Sequence, residues 1–270
     1  MKKPDNLTLI DMNSDGSIFA GVDVGASRTK MALLDSGKNL VGFSVKKSGT
    51  DFTRTAEECL EEAMVMAKTS KDNVIKTVST GYGRNNVSYS NDTKTEIGCH
   101  ARGAYHYFPM AMTIIDIGGQ DNKIIKLDSE GRRTNFKMNR KCAAGTGAFL
   151  EEMSARLDIP LEKMDGLARQ STEMVELGSY CTVFSATEVL EKIRQGKKVP
   201  DIIKGLFFSV IKRVLEMDLI TDHLALTGGV VEHNPFLVEM VREKTRSEIL
   251  LPEHPQLTGA IGAALFAMEL

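Results

Sequence analysis

The 270-residue chain is poor in cysteine, has no long apolar run and shows no excess of either charge. Its 34 basic and 36 acidic residues leave a net charge of −2. That balance lacks the electrostatic footprint of a nucleic-acid or anionic-membrane partner. No apolar stretch reaches the ~18–20 residues needed to cross a bilayer, so a soluble protein with no membrane partner is expected. Residues 1–17 carry Lys2, Lys3, Asp5, Asp11 and Asp15 around no apolar centre. They read as a polar tail and not as an export signal, which predicts a cytoplasmic protein. Four widely spaced cysteines, Cys59, Cys99, Cys142 and Cys181, do not make a disulfide framework. Neither a C-x-x-C nor an H-x₃-H pair is present, so no zinc site is expected, and the five histidines read as structural or surface residues. No Gly-x-Gly-x-x-Gly opens a helix and no Walker A loop occurs, which argues against Rossmann and P-loop nucleotide sites.

What is present is a repeat. Ser17 to Asp35 reads as an apolar strand, a glycine turn and a returning strand, and Thr113 to Leu127 repeats the pattern with an aspartate again at the strand end. Apolar residues at helical spacing predict helices over 53–69, 148–157, 185–195 and 200–217, with strands at 74–80 and 224–227. Two α/β lobes with matching hairpins, followed by Gly228-Gly229, predict the actin/hexokinase/Hsp70-type fold, with nucleotide in the cleft between duplicated lobes. The expected division is a tail (1–17), a first lobe (18–111), a second lobe (112–255), and a C-terminal helix (256–270) packing back on the first lobe.

In the first hairpin, Asp23 precedes a turn of small residues (Gly25, Ala26, Ser27) that lets backbone N–H groups approach phosphate oxygens. Asp23 is placed to hold Mg²⁺ through water. The facing segment, Asp116 to Asp121, offers Asp116 for hydrated metal and Gln120 to orient an attacking water. One such loop is an ordinary hairpin; two facing ones predict an ATP site. Gly228 and Gly229, and the Gly259 to Gly262 run that opens the last helix, fit close backbone approach and tight packing.

Cys142 lies in a small-residue loop just before one predicted helix, beside Arg140 and Lys141, and Cys181 lies just before another. Both are positions that favour a thiolate. An iron–sulfur cluster takes four thiolates, so two per chain would suffice only across a two-fold axis. A pair of small buried cysteines fits the same spacing. Cys59, beside a helical apolar stripe, reads as core.

Four segments together resemble the activators of 2-hydroxyacyl-CoA dehydratases, in the family that includes the ATPase subunits of benzoyl-CoA reductase. They are Thr80-Gly81-Tyr82-Gly83-Arg84, Asp116 to Lys123, Asn135 to Gly147, and Cys181-Thr182-Val183-Phe184. The similarity extends over roughly Phe19 to Leu270.

The resemblance implies an oxygen-sensitive [4Fe-4S] cluster, one per homodimer, held by Cys142 and Cys181 of each chain. It implies ATP or ADP contacts at Ala26, Ser27, Arg28, Thr29 and Lys30 and at Glu232 and Gln256, which join the contacts expected from the glycine turns at Gly118, Gly119, Gln120, Asp121, Gly228 and Gly229. Ala26 and Glu232 depart from the family's usual hydroxyl and amide. The implied activity is ATP-driven delivery of one electron, taken from a ferredoxin or flavodoxin, to a 2-hydroxyacyl-CoA dehydratase or related reductase. Two alternatives stay open: a permanent ATPase subunit of a benzoyl-CoA-reductase-type complex, and a small-molecule kinase of the same fold with Asp121 as base.

Overall fold

The computed structural model describes residues 16–140, 142–178 and 181–270. Most of the N-terminal tail, Lys141, Ser179 and Tyr180 lie outside the described residues. Strand β1 (Ile18–Val24) is apolar on both faces and buried almost throughout, as a central strand must be. It runs antiparallel to β2 (Arg28–Asp35) and parallel to β4 (Val74–Thr80). With β3 (Leu40–Lys47) and the short β5 (Asp92–Thr93) this gives a sheet in the order β3-β2-β1-β4-β5.

The second sheet repeats the first. Its central strand β6 (Met112–Ile117) is antiparallel to β7 (Asn122–Leu127) and parallel to β9 (His223–Thr227), in the order β10-β9-β6-β7-β8, where β8 is Arg133–Asn139 and β10 is Glu248–Leu250. The registers repeat as well. Asp23 sits opposite Lys30 on one side and Thr80 on the other, and Asp116 sits opposite Lys123 and Thr227. Two hairpins with the same aspartate-to-lysine spacing therefore bring the same side chains to the ends of two central strands. The paired architecture is the one the two hairpins predict.

Helix α1 (Phe52–Ala67) starts where the Asp51 carboxylate accepts a hydrogen bond from the Arg54 N–H, and lays Ala56, Cys59, Leu60 and Ala63 on the first sheet. The opposite face is covered by α9 (Thr258–Ala267), which is apolar on every side and packs on β1, β2 and β4. Helix α2 (Glu96–Tyr107), capped by Thr95, places Ile97, Ala101 and Ala104 against Met112, Ile114 and Ile125 of the second sheet. Helices α2 and α9 cross backbone to backbone. A methyl on Gly262 would stand 1.8 Å from the Cys99 carbonyl oxygen, and one on Gly103 would stand 2.1 Å from that of Thr258.

The other face of the second sheet carries the larger core. Ile115, Ile117 and Ile124 meet side chains from α3 (Gly147–Leu157), α4 (Met164–Ala168), α5 (Thr182–Arg194), α6 (Val199–Leu215), α7 (Gly229–His233) and α8 (Pro235–Thr245). Among the described residues, no helix is long and apolar enough to cross a membrane.

Candidate nucleotide cleft and cysteine loops

The turns after β1 and β6 face each other across a cavity of about 690 Å³. Ala26, Ser27, Arg28 and Lys30 line it from one side, and Asp116, Gly118, Gly119, Gln120 and Asp121 from the other. Gly228, Gly229 and Gln256 add a third wall. Gly228 follows β9 with φ +99°, where a Cβ would also strike the Ile117 carbonyl at 2.4 Å, so only glycine turns the chain here. The loops nearly touch, since a methyl on Gly119 would lie 2.8 Å from the Ser27 Cβ.

Each aspartate is held by its own lysine. Lys30 Nζ donates to Asp23 Oδ2 at 3.0 Å, and Asp23 Oδ1 is buried with no hydrogen-bond partner among the described residues. Burial alone would lower the Lys30 ammonium; Asp23 outweighs it and holds the group above its ordinary pKa. Lys123, 2% exposed, is more heavily engaged: its Nζ lies 3.0 Å from Asp116 Oδ2, 2.8 Å from Asp121 Oδ1 and 2.9 Å from Glu96 Oε1. Thr227 donates to the other Asp116 oxygen at 3.0 Å, with His100 Nδ1 3.6 Å away. Burial would raise the Asp116 carboxyl, but His100, Lys123 and Lys30 together hold it well below the usual carboxylate range.

Three of the expected nucleotide-contacting or catalytic residues sit apart from the cleft surface. Asp23 is buried behind Lys30. Thr29 is fully buried, its hydroxyl 2.9 Å from Ser48 Oγ, so it offers no side-chain contact to phosphate. Glu232 lines a side hollow of about 320 Å³ with Arg28, Phe43 and His254, and its Oε2 accepts from the Gln256 N–H. In the opposite direction, the sequence reading missed Glu96, His100, Lys123, Arg140 and His233, all in the cleft wall. Of the five histidines, His100 and His233 reach the cleft wall, His100 as a buried residue beside Asp116. The Asp-to-Lys spacing shared by both hairpins was the available signal for Lys123; Glu96 and His100 reach the cleft only because α2 lies beneath β6.

The four cysteines divide into two pairs. Cys59 and Cys99 are buried, and burial pushes the Cys59 thiol up and that of Cys99 up to about 12, as expected of inert core thiols. Cys142 and Cys181 are exposed, which removes the reading of them as buried apolar residues. Cys181 caps the start of α5, its carbonyl accepting from the Ser185 N–H. Beside it Val183 and Phe184 are 67% and 66% exposed.

The Cys142 loop is fastened to the second glycine turn. The N–H groups of Gly147 and Ala148, which open α3, donate to the carbonyls of Gly118 (2.9 Å) and Gly119 (2.7 Å). The positive end of α3 is therefore directed at the glycine turn, five residues beyond Cys142. Asn122 Nδ2 donates to the Gly145 carbonyl and Asn139 Nδ2 to that of Cys142. A shift of Gly118 and Gly119 must be felt by the loop that carries Cys142.

The profile of the BadF/BadG/BcrA/BcrD ATPase family matches residues 20–267. The activator of lactoyl-CoA dehydratase from Anaerotignum propionicum is 40% identical over 257 residues, covering 92% of this chain and 96% of its own. Among solved structures, the activator of the 2-hydroxyisocaproyl-CoA dehydratase from Clostridium difficile, with bound ADPNP, superposes with a TM-score of 0.88 at 37% identity, over 93% of this chain and 94% of that one. A ROK family glucokinase from Streptomyces griseus, at 11% identity and a TM-score of 0.58 over 94% of this chain and all of its own, shares the fold alone. The fold is thus that of the actin/hexokinase-type ATPases.

Proposed function

The chain belongs to the BadF/BadG/BcrA/BcrD ATPase family, and on that basis we propose that it is an ATP-hydrolysing, one-electron activator of a 2-hydroxyacyl-CoA dehydratase or related CoA-ester reductase. It works in the cytosol as a homodimer that shares one oxygen-sensitive [4Fe-4S] cluster and is recharged by a ferredoxin or flavodoxin. Its lobes are taken as residues 18–111 and 112–255, with 256–270 returning to the first. The observation that carries this reading is the direct hydrogen bonding of the second glycine turn to the cysteine loop. A kinase has no use for such a link.

ATP lies between the two turns, with its phosphates against the backbone of Ala26 to Arg28 and Gly118 to Gln120 and its nucleoside toward Gly228, Gly229 and Gln256. Lys30 and Arg28 neutralise phosphate charge. Gln120, exposed at the cleft surface, orients the attacking water. Hydrated Mg²⁺ would supply charge neutralisation at the phosphates; Asp116 lines the cleft but has both oxygens engaged, and Asp23 keeps one oxygen unpartnered but lies buried behind Lys30, so either would hold the ion only through water.

The thiols fit the cluster on similar grounds. Both are exposed, one beside bare apolar side chains. Two chains across a two-fold axis provide the four thiolates that a [4Fe-4S] cluster requires, and such a cluster carries one electron. When the phosphate turns close on ATP, the hydrogen bonds from Gly147 and Ala148 move the start of α3 and so reorient the Cys142 loop. Changing the dipoles and solvent around a redox centre changes its potential.

The test is anaerobic reconstitution of three variants. Cys142→Ala and Cys181→Ala should each remove two of the four thiolates and lose nearly all iron and visible absorbance while still binding ATP. Cys59→Ala should keep a full cluster. Full occupancy in Cys181→Ala would defeat the shared-cluster reading.

A further inference from the structure

Arg140 lines the nucleotide cleft and stands two residues ahead of Cys142. Its side chain is 64% exposed and its guanidinium sits 3.8 Å from Glu96 Oε2, too far for a hydrogen bond, while its Nε rests against the Met138 sulfur. The other Glu96 oxygen lies 2.9 Å from Lys123 Nζ, which also bonds Asp116. Alternating charges thus run from the cleft floor to the cysteine loop, Asp116, Lys123, Glu96, Arg140, with the loosest link at Arg140.

The two cations in this row differ in what they can give up. Lys123 is buried among three carboxylates, and turning it toward a ligand would strand them. Arg140 has a loose, solvent-screened ion pair, of a kind worth ~0–1 kcal/mol. A guanidinium can instead make two parallel, charge-assisted hydrogen bonds to one phosphate, which are the stronger contacts. A terminal phosphate in the cleft is therefore a better partner for Arg140 than Glu96 is.

Resting on the reading of the cleft as an ATP site, we infer that Arg140 distinguishes triphosphate from diphosphate and passes the difference to the cysteine loop. With the cleft empty or holding ADP, Arg140 stays over Glu96. The terminal phosphate of ATP draws it away. The loop beyond it is fixed at Asn139 by pairing with Asn122 and at Gly145 by the Asn122 side chain, so the displacement falls on the few residues between them and on the bond from Asn139 Nδ2 to the Cys142 carbonyl. Arg140 acts on Cys142 through the backbone and is a positioning residue for it.

The experiment compares wild type, Arg140→Gln and Arg140→Lys. ADPNP and ADP affinities are measured on the anaerobically purified protein, and the alkylation rate of Cys142, read by peptide mass, on cluster-free protein with and without each nucleotide. Arg140→Gln should weaken ADPNP about tenfold, the loss of one charge-assisted contact, and leave ADP within about twofold. In wild type, ADPNP but not ADP should change the Cys142 alkylation rate; that response should vanish in Arg140→Gln and be partly restored in Arg140→Lys. Equal weakening of both nucleotides, or an undiminished alkylation response in Arg140→Gln, overturns the inference. A wild-type protein that binds neither nucleotide refutes the ATP site itself. One that binds both, with Arg140→Gln indistinguishable from it, refutes only the role of Arg140.

Discussion

Replacing Lys123 by methionine keeps an apolar stem of similar length and removes one ammonium from among three carboxylates. Lys123 and Asp116 are almost fully buried, while Glu96 and Asp121 are partly solvated at 16% and 23% side-chain exposure. Removing one partner of a buried pair costs about 3–5 kcal/mol, because the remaining charge is stranded. Glu96 and Asp121 add little, since water reaches them. In a chain of this size each kcal/mol lowers the melting midpoint by roughly 2–4 °C, so the expected loss at pH 7 is roughly 6–20 °C.

The pH dependence follows from the direction of the Asp116 shift. In wild type its carboxyl lies well below the ordinary range. Its contribution to stability is therefore complete above the unfolded pKa of ~3.9 and is lost only as pH falls through the lower folded value. Without Lys123, the Asp116 carboxyl loses one of the cations that hold it low and moves upward, with His100 and Lys30 still beside it. The variant can then fold with a neutral acid once the pH is low enough, so its deficit should be largest near pH 7 and shrink toward about pH 4.5. Thermal melts of wild type, Lys123→Met and Lys123→Met/Asp116→Asn at both pH values test this, the double variant recovering most of the loss. A deficit under about 1 kcal/mol at pH 7, or one that neither acid nor the second substitution reduces, would refute the reasoning.

Gln120→Ala should slow ATP turnover far more than it weakens ATP binding, measured as hydrolysis rate and affinity on the same reduced preparation. Thr29→Val should lower stability by about 1 kcal/mol in a urea titration through loss of the buried bond to Ser48, with ATP affinity unchanged. Gly262→Ala should cost about 3 kcal/mol or more, because its methyl meets the Cys99 carbonyl, whereas Gly166→Ala in the open interior of α4 should gain ~0.5–1 kcal/mol; comparing their melting midpoints checks both.

The repeat was legible because strand, aspartate, glycine turn and returning strand are all local signals. The hairpins at 17–35 and 113–127 match β1–β2 and β6–β7, and the long helical stripes match α1, α3, α5 and α6 within a few residues. Helix α2 was not legible. Its buried positions include Cys99, Ala101, Gly103 and Ala104, whose small side chains fit a close crossing and leave a weak apolar period. Strand β8 is mostly exposed and has no alternation to betray it. Those two gaps explain the omissions in the site, since Glu96 and His100 stand on α2 and Arg140 follows β8. The direction of Thr29 was equally hidden, for an alternating strand does not say which of its hydroxyls meets phosphate and which meets Ser48.

The crossing of α2 and α9 limits how the cleft can open. The two helices meet at Gly103 and Gly262, each glycine lying against a backbone carbonyl of the other helix. Sliding one along the other would drive neighbouring residues into a gap that does not accept a methyl, so the permitted movement is a swivel about the contact. The crossing acts as a fulcrum on which each sheet is a lever, α2 resting on one and α9 on the other. Travel in such a device grows with distance from the pivot, so a small turn at the glycines becomes its largest displacement at the outer edges of the two sheets.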